Sequence, residues 1–171
     1  MSEGTALLVI DMQVGLVAGA YRAGEVLGTI ATLLAKARSS GTTVVYLQHE
    51  SDEFEPLKRG TPTWQIHPEI MPAEGELVIP KRASDSFYQT SLRGELEARR
   101  VRHLVVTGMM TEACVDTTSR AAIRPRLRCH SRGGRAHHLE RAATGAANHR
   151  ASQRHIGGPH TSRPHHQGET G

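Results

Sequence analysis

Ala6-Leu7-Leu8-Val9-Ile10, followed at once by Asp11, is the stretch that decides the fold. Five consecutive apolar residues ending at an acid are the pattern of a strand buried on both faces, as in a parallel sheet covered by helices. It is also the longest apolar run in the chain. A membrane-spanning helix needs about 20 such residues and is therefore excluded.

Reading outward from that strand, apolar residues Val26, Ile30, Leu33, Leu34 and Ala37 recur at helical spacing between Gly24 and Ser40, and Gly41 closes the segment. Thr43-Val44-Val45-Tyr46-Leu47 reads as a second strand, followed by a loop carrying Gly60, Pro62 and Pro68. Leu77-Val78-Ile79 makes a short third strand before Pro80-Lys81. Thr90 to Arg99 reads as helix, with Leu92 and Leu96 on one face. His103-Leu104-Val105-Val106-Thr107 is the fourth strand, ended by Gly108, and Glu112 to Ala122 reads as another helix. Strand alternating with helix predicts an α/β fold, a Rossmann-like three-layer sandwich around a parallel sheet.

The chain has 171 residues, enough for one domain, but its composition breaks near residue 123. Residues 1–123 hold 12 Lys and Arg against 15 Asp and Glu, whereas residues 124–171 hold nine Arg, no Lys, two Glu and eight His. The large apolar residues of that last segment are Leu127, Leu139 and Ile156. So little apolar surface cannot offset the ordering entropy of the backbone, about 1–2 kcal/mol per residue. Residues 1–123 are therefore expected to form the core. Residues 124–171 are expected to be a basic, His- and Arg-rich tail, leaving the sheet incomplete at the C-terminus. The sequence pI of about 9.5 belongs to the tail and says nothing of the core's partners. Two cysteines make no disulfide framework, and Met1-Ser2-Glu3-Gly4 carries no basic-then-apolar leader, so a cytoplasmic, reducing setting is expected.

In parallel α/β sheets chemistry collects at the carboxyl ends of the strands. Asp11, Lys81 and the segment Gly108–Cys114 each lie just beyond such an end. Cys114, near the start of a predicted helix, would have its thiolate stabilised by free amide N–H groups and the helix dipole. The Lys81 ammonium would lower the thiol pKa further, and Asp11 would carry the proton from thiol to leaving group. Each residue alone has an ordinary alternative. Cys114 can be a small buried apolar residue, Asp11 a turn cap and Lys81 a solvated charge.

The ordered stretches Leu8-Val9-Ile10-Asp11-Met12-Gln13, Gly60-Thr61-Pro62-Thr63-Trp64-Gln65-Ile66-His67-Pro68-Glu69, Ile79-Pro80-Lys81, Ser86-Phe87-Tyr88-Gln89-Thr90-Ser91-Leu92 and Val106-Thr107-Gly108-Met109-Met110-Thr111-Glu112-Ala113-Cys114-Val115 are collinear over residues 6–122. Together they resemble the isochorismatase-like cysteine hydrolase superfamily, in its amidase-type branch. The resemblance implies an Asp–Lys–Cys triad on Asp11, Lys81 and Cys114, and a cis peptide at Met109–Met110. It also implies an oxyanion hole from the backbone amides of Met110 and Cys114, with Phe87 and Trp64 as pocket walls or ordinary core residues. Cysteine-bearing members cleave amides through a thioester, so a small amide, carbamoyl or cyclic amide is the expected partner, with no cofactor, no membrane and no specific nucleic acid. Nicotinamidases of this superfamily carry an Asp/His/His metal cluster after the second strand. Here His49, Asp52 and His67 lack the H-P-x-x-H spacing, so no metal is expected, and His49 reads as a strand-end hydrogen-bonder.

The resemblance stops after Ala122, where family members continue with a fifth strand ending in Asp-Ala-His-Thr-Thr-Trp. Back-translated and read one base later, Gly134-Arg135-Ala136-His137-His138-Leu139-Glu140 permits Asp-Ala-His-Thr-Thr-Trp-Ser. Asn148 to His155 likewise permits Ile-Ile-Ala-His-His-Asn-Ala-Thr, and Ile123 to Cys129 permits Phe-Asp-Arg-Gly-Tyr-Asp-Val. Three collinear matches point to a frameshift near codon 123, and a homo-oligomer is expected if the frame is restored. The competing expectation is an inactive remnant whose basic tail binds anions, nucleic acid or metal nonspecifically.

Overall fold

The computed structural model describes residues 4–123 and 128–129. Its elements in chain order are β1 (Thr5–Ile10), α1 (Val14–Val17), α2 (Ala23–Ser39), β2 (Thr43–His49), β3 (Leu77–Lys81), α3 (Leu92–Ala98), β4 (His103–Gly108), α4 (Asp116–Ile123) and β5 (Arg128–Cys129). Three short 3-10 turns fill the loop between β2 and β3, at Glu55–Leu57, Pro62–Trp64 and Pro68–Ile70. The strands form one sheet in the order β3-β2-β1-β4-β5, and every pairing is parallel. The α/β class and the parallel sheet are those expected. β5 is two residues long, pairs with the start of β4, and falls within the segment assigned to the tail. The frameshift and tail-binding readings otherwise rest on residues outside those described.

All six residues of β1 are buried, and its period-2 alternation divides the five apolar ones, Ala6 to Ile10, between two cores. Ala6, Leu8 and Ile10 pack with Val45, Leu47, Leu92, Leu96, Cys114 and Val115 on one face. Leu7 and Val9 pack with Val26, Leu27, Ile30 and Leu34 of α2 on the other. Each Val, Leu or Ile among them contributes about 1.5–3 kcal/mol when fully buried, which is why a short apolar run can seat helices on both sides.

Three elements differ from the sequence reading for identifiable reasons. β3 runs on through Pro80 to Lys81 because it is an edge strand, where a missing N–H costs no ladder bond. The helix expected from Glu112 begins instead with a π-helical turn, Thr111–Val115, before α4. α1 has four residues, too few to show a helical period.

Strand order reverses between β1 and β4, whose successors leave in opposite directions, so the sheet's switch point lies between their carboxyl ends. Gly108 closes that point. Its φ is +123°, and a Cβ there would stand 2.0 Å from the carbonyl oxygen of Ile10. Met109 N–H then donates to the same carbonyl at 3.0 Å, and the Met109–Met110 peptide is cis.

Candidate active site

Asp11 follows β1 directly, with φ of 54° and its amide donating to Leu47 O at 2.9 Å. Lys81 ends β3, two strands away, and Cys114 lies in the π-helical turn after β4. The long lysine side chain crosses the end of β2 to reach the aspartate. Lys81 Nζ stands 2.8 Å from Asp11 Oδ2, with the two side chains 0% and 2% exposed. Cys114 Sγ, a carboxylate oxygen of Asp11 and a ring nitrogen of His49 lie within 4.8 Å of one another. The structure thus brings together the three residues singled out in the sequence, and adds His49 to them.

The ammonium has three donors, and all three are used. They reach Asp11 Oδ2 at 2.8 Å, His49 Nδ1 at 3.1 Å and the Ala83 carbonyl at 3.0 Å. One oxygen of Asp11 is thereby committed. The other, Oδ1, is buried and has no hydrogen-bond partner among the described residues. Asp11, His49 and Cys114 are all metal-ligating types. A lysine ammonium, however, already holds the cationic position beside Asp11 and faces the imidazole Nδ1.

The expected low-pKa thiolate is not what this environment favours. Burial pushes the Cys114 thiol up to about 11, and the Asp11 carboxylate pushes the same way, while Lys81 pulls down and loses. The helix terminus and the ammonium are visible in the sequence, whereas desolvation is set by the fold. The resting cysteine is a thiol, with a base-capable oxygen beside it.

Met110 immediately precedes the π-helical turn and Cys114 is its fourth residue. The Met110 carbonyl accepts from Ala113 N and Val115 N at 3.1 and 3.2 Å, which directs it into the turn. Phe87 is half-buried against the core cluster containing Cys114, and the Arg93 guanidinium lies 4.9 Å from its ring centre. Trp64 ends a 3-10 turn, with its indole N–H buried and without a partner among the described residues, and with Arg59 5.8 Å from its ring centre.

Gln13 is the residue that sequence reasoning passed over. It is 0% exposed, donates to the carbonyls of His49 and Trp64 at 2.9 and 2.8 Å, and accepts from His49 N at 2.9 Å. Its signals were its place two positions after a strand-end acid and at the end of the stretch Leu8-Val9-Ile10-Asp11-Met12-Gln13. A cavity of about 190 Å³ opens beside His49, lined also by Glu50, Ser51, Asp52, Glu53 and Arg82. A larger hollow of about 410 Å³, lined by Gln48, Ile66, Met71 and Val78 among others, includes none of Asp11, Lys81 and Cys114. No described helix is long and apolar enough to cross a membrane.

Comparison with known proteins gives a consistent picture. The isochorismatase domain model matches residues 5–131. Streptothricin hydrolase of Streptomyces noursei is 38% identical over 121 residues, covering 69% of this chain and 44% of that protein. Ureidoacrylate amidohydrolase of Cronobacter sakazakii is 31% identical over 157 residues, covering 69% of this chain and 68% of that protein. The chain therefore spans under half the length of the first relative and about two thirds of the second. Among solved structures, N-carbamoylsarcosine amidase from Thermoplasma acidophilum superposes with a TM-score of 0.65 at 28% identity, covering 73% of this chain and 79% of that one.

Proposed function

The chain belongs to the isochorismatase family, and from that premise we propose that it is a cofactor-free cysteine hydrolase of a small amide, carbamoyl or cyclic amide. The observation that carries this is the dry contact of Asp11 with Lys81 at 2.8 Å, with Cys114 Sγ beside the same carboxylate. The names of its relatives, a streptothricin hydrolase, an amidohydrolase and an amidase, point to the same bond class.

In this reaction Cys114 Sγ attacks the amide carbonyl carbon as its proton passes to Asp11 Oδ1, the oxygen left free by Lys81. A thiol with a pKa near 11 is a poor nucleophile until substrate arrives, so transfer to the adjacent carboxylate and attack are concerted in effect. The backbone amides of Met110 and Cys114 receive the developing oxyanion. Asp11 returns the proton to the leaving nitrogen as the C–N bond breaks, and a thioester remains on Cys114. Water then attacks the thioester, giving one proton to Asp11. The C–S bond breaks, the acid leaves, and the proton returns to sulfur. Lys81 stays charged throughout and holds Asp11 in place. Phe87 and Trp64 line the approach. A reducing compartment suits this chemistry because the thiol must stay reduced.

The test is hydrolysis of ureidoacrylate, N-carbamoylsarcosine and a panel of simple primary amides, read by ammonia release. Turnover of at least one class is expected, falling by about a thousandfold or more in Cys114→Ala with an unchanged far-UV spectrum. Turnover that survives Cys114→Ala overturns the proposal.

A further inference from the structure

We infer that His49 is a positioning residue for this chemistry, acting as the acceptor that completes the coordination of the Lys81 ammonium; this rests on the hydrolase reading above. An ammonium has no lone pair, so where Lys81 Nζ meets His49 Nδ1 at 3.1 Å the nitrogen of the ring must accept. That fixes His49 as the neutral tautomer carrying its proton on Nε2. The 3.7 Å separation of the same Nδ1 from Asp11 Oδ2 is then not a hydrogen bond.

Sheet order explains why a residue is needed there. β2 lies between β1 and β3, and His49 pairs in register with Lys81. Any side chain reaching from β3 to the end of β1 must pass the end of β2. His49 supplies a polar partner at that crossing, where an apolar residue would leave one buried N–H of the ammonium without an acceptor. A buried donor left unsatisfied is costly, and the ammonium would turn toward water or another carbonyl. The backbone that carries the imidazole is itself held, because Gln13 donates to the His49 carbonyl and accepts from the His49 amide, both at 2.9 Å. The segment leaving β1 thus sets both ends of the crossing, Asp11 through its carboxylate and the His49 backbone through Gln13.

The position of the ammonium matters to Cys114, because Lys81 is the group that lowers the thiol pKa against burial and Asp11. The experiment uses the full 171-residue chain. It reads the rate of iodoacetamide alkylation at Cys114 by mass spectrometry of that peptide, which needs no knowledge of the substrate. His49→Leu keeps the bulk and removes the acceptor. His49→Asn keeps an acceptor, since its Oδ1 occupies the place of Nδ1. His49→Ala is the acceptor-free comparison should the leucine variant fail to fold. Alkylation about tenfold slower in His49→Leu, within about threefold of the parent in His49→Asn, and slowed in Lys81→Met is the expected pattern. Equal slowing in His49→Asn and His49→Leu overturns the acceptor role. Parent-like alkylation in His49→Leu with slowing in Lys81→Met overturns the inference alone. Parent-like rates in both His49→Leu and Lys81→Met overturn it together with the part given to Lys81 in the hydrolase mechanism.

Discussion

Asp11 and Glu50 are both buried carboxylates at strand ends, each with one oxygen bonded to a basic side chain and the other without a hydrogen-bond partner among the described residues. They differ in their counterions. Lys81 is sealed from solvent, whereas the Arg82 and Arg59 side chains near Glu50 are 60% and 67% exposed. Around Asp11 neither charge can exchange its partner for water. Around Glu50 the arginines sit in solvent, and Arg82 is shared with Asp52 at 2.7 Å. The same pairing of acid and base therefore serves two ends. The dry pair fixes a geometry, and the wet group is a rim that tolerates rearrangement.

The largest effect expected from this contrast is that of Lys81→Met. It leaves the Asp11 carboxylate buried and uncompensated, which costs about 3–5 kcal/mol in urea unfolding and abolishes turnover. Pairing it with Asp11→Asn should recover part of the stability and none of the activity. If the double variant is no more stable than Lys81→Met alone, the two charges are not coupled as described.

The thiol beside this pair makes a second prediction, in pH. Cys114 is raised from an ordinary 9.0 to about 11, by burial first and Asp11 next. Its contribution to stability is complete below about pH 9, where the thiol is protonated in both states. It is lost as pH rises toward about 11, because the unfolded thiol ionises first. The thermal midpoint of the parent should therefore fall further between pH 9 and 11 than that of Cys114→Ala. Tyr46, pushed up to about 12 by burial, acts in the same direction but equally in both proteins. Parallel curves would mean that the thiol is not held protonated by the fold.

The dry site was legible in the sequence in its chemistry and not in its balance. Asp11, Lys81 and Cys114 could be picked out because apolar runs locate strand ends, and strand ends collect chemistry. The four long strands were legible for the same reason. The sign of the thiol shift was not, since it depends on how much water the fold removes and on which neighbour stands nearer. His49 was readable as a strand-end hydrogen-bonder but not as a lysine acceptor, because its partner comes from a strand 32 residues away. Gln13 stood in the family-like stretch of residues 8–13, but its role was unreadable for a related cause. Its value lies in closing the peptide of β2 and the Trp64 turn at once, and neither contact leaves a local pattern. The π-helical turn carrying Cys114 reads as ordinary helix, because one extra residue in a turn does not disturb a short run of small side chains.

A buried contact with no formal charge calibrates the middle of the scale. Thr118 Oγ1 accepts from Ser86 N at 3.0 Å and has Ser86 Oγ at 2.8 Å and the Ser84 carbonyl at 3.3 Å as acceptors for its proton, fastening α4 to the loop after β3, with Thr118 and Ser86 both 0% exposed. Thr118→Val keeps the shape and removes all of these bonds, leaving a buried amide unsatisfied. A loss of about 1–3 kcal/mol in urea unfolding is expected, below that of Lys81→Met. A loss equal to that of Lys81→Met would mean that burial of polar groups in general, and not the desolvated charge pair, sets the energetics of this end of the sheet.

The smallest effect belongs to the rim. Arg82→Ala removes a side chain that bonds Glu50 at 2.9 Å and Asp52 at 2.7 Å, so on a count of contacts it should rank beside Lys81. It should not, because its charge is solvated before and after, Arg59 remains 3.6 Å from Glu50, and exposed ion pairs return little of their Coulomb energy in water. The thermal midpoint should stay close to that of the parent, and added salt should narrow what difference there is. Turnover should follow the same pattern, since Arg82 lines the cavity beside His49 but makes no bond to it. A substantial loss of stability in Arg82→Ala would show that Glu50 is as dry in function as Asp11. The distinction between a fixed interior pair and a tolerant rim would then have to be redrawn around Glu50.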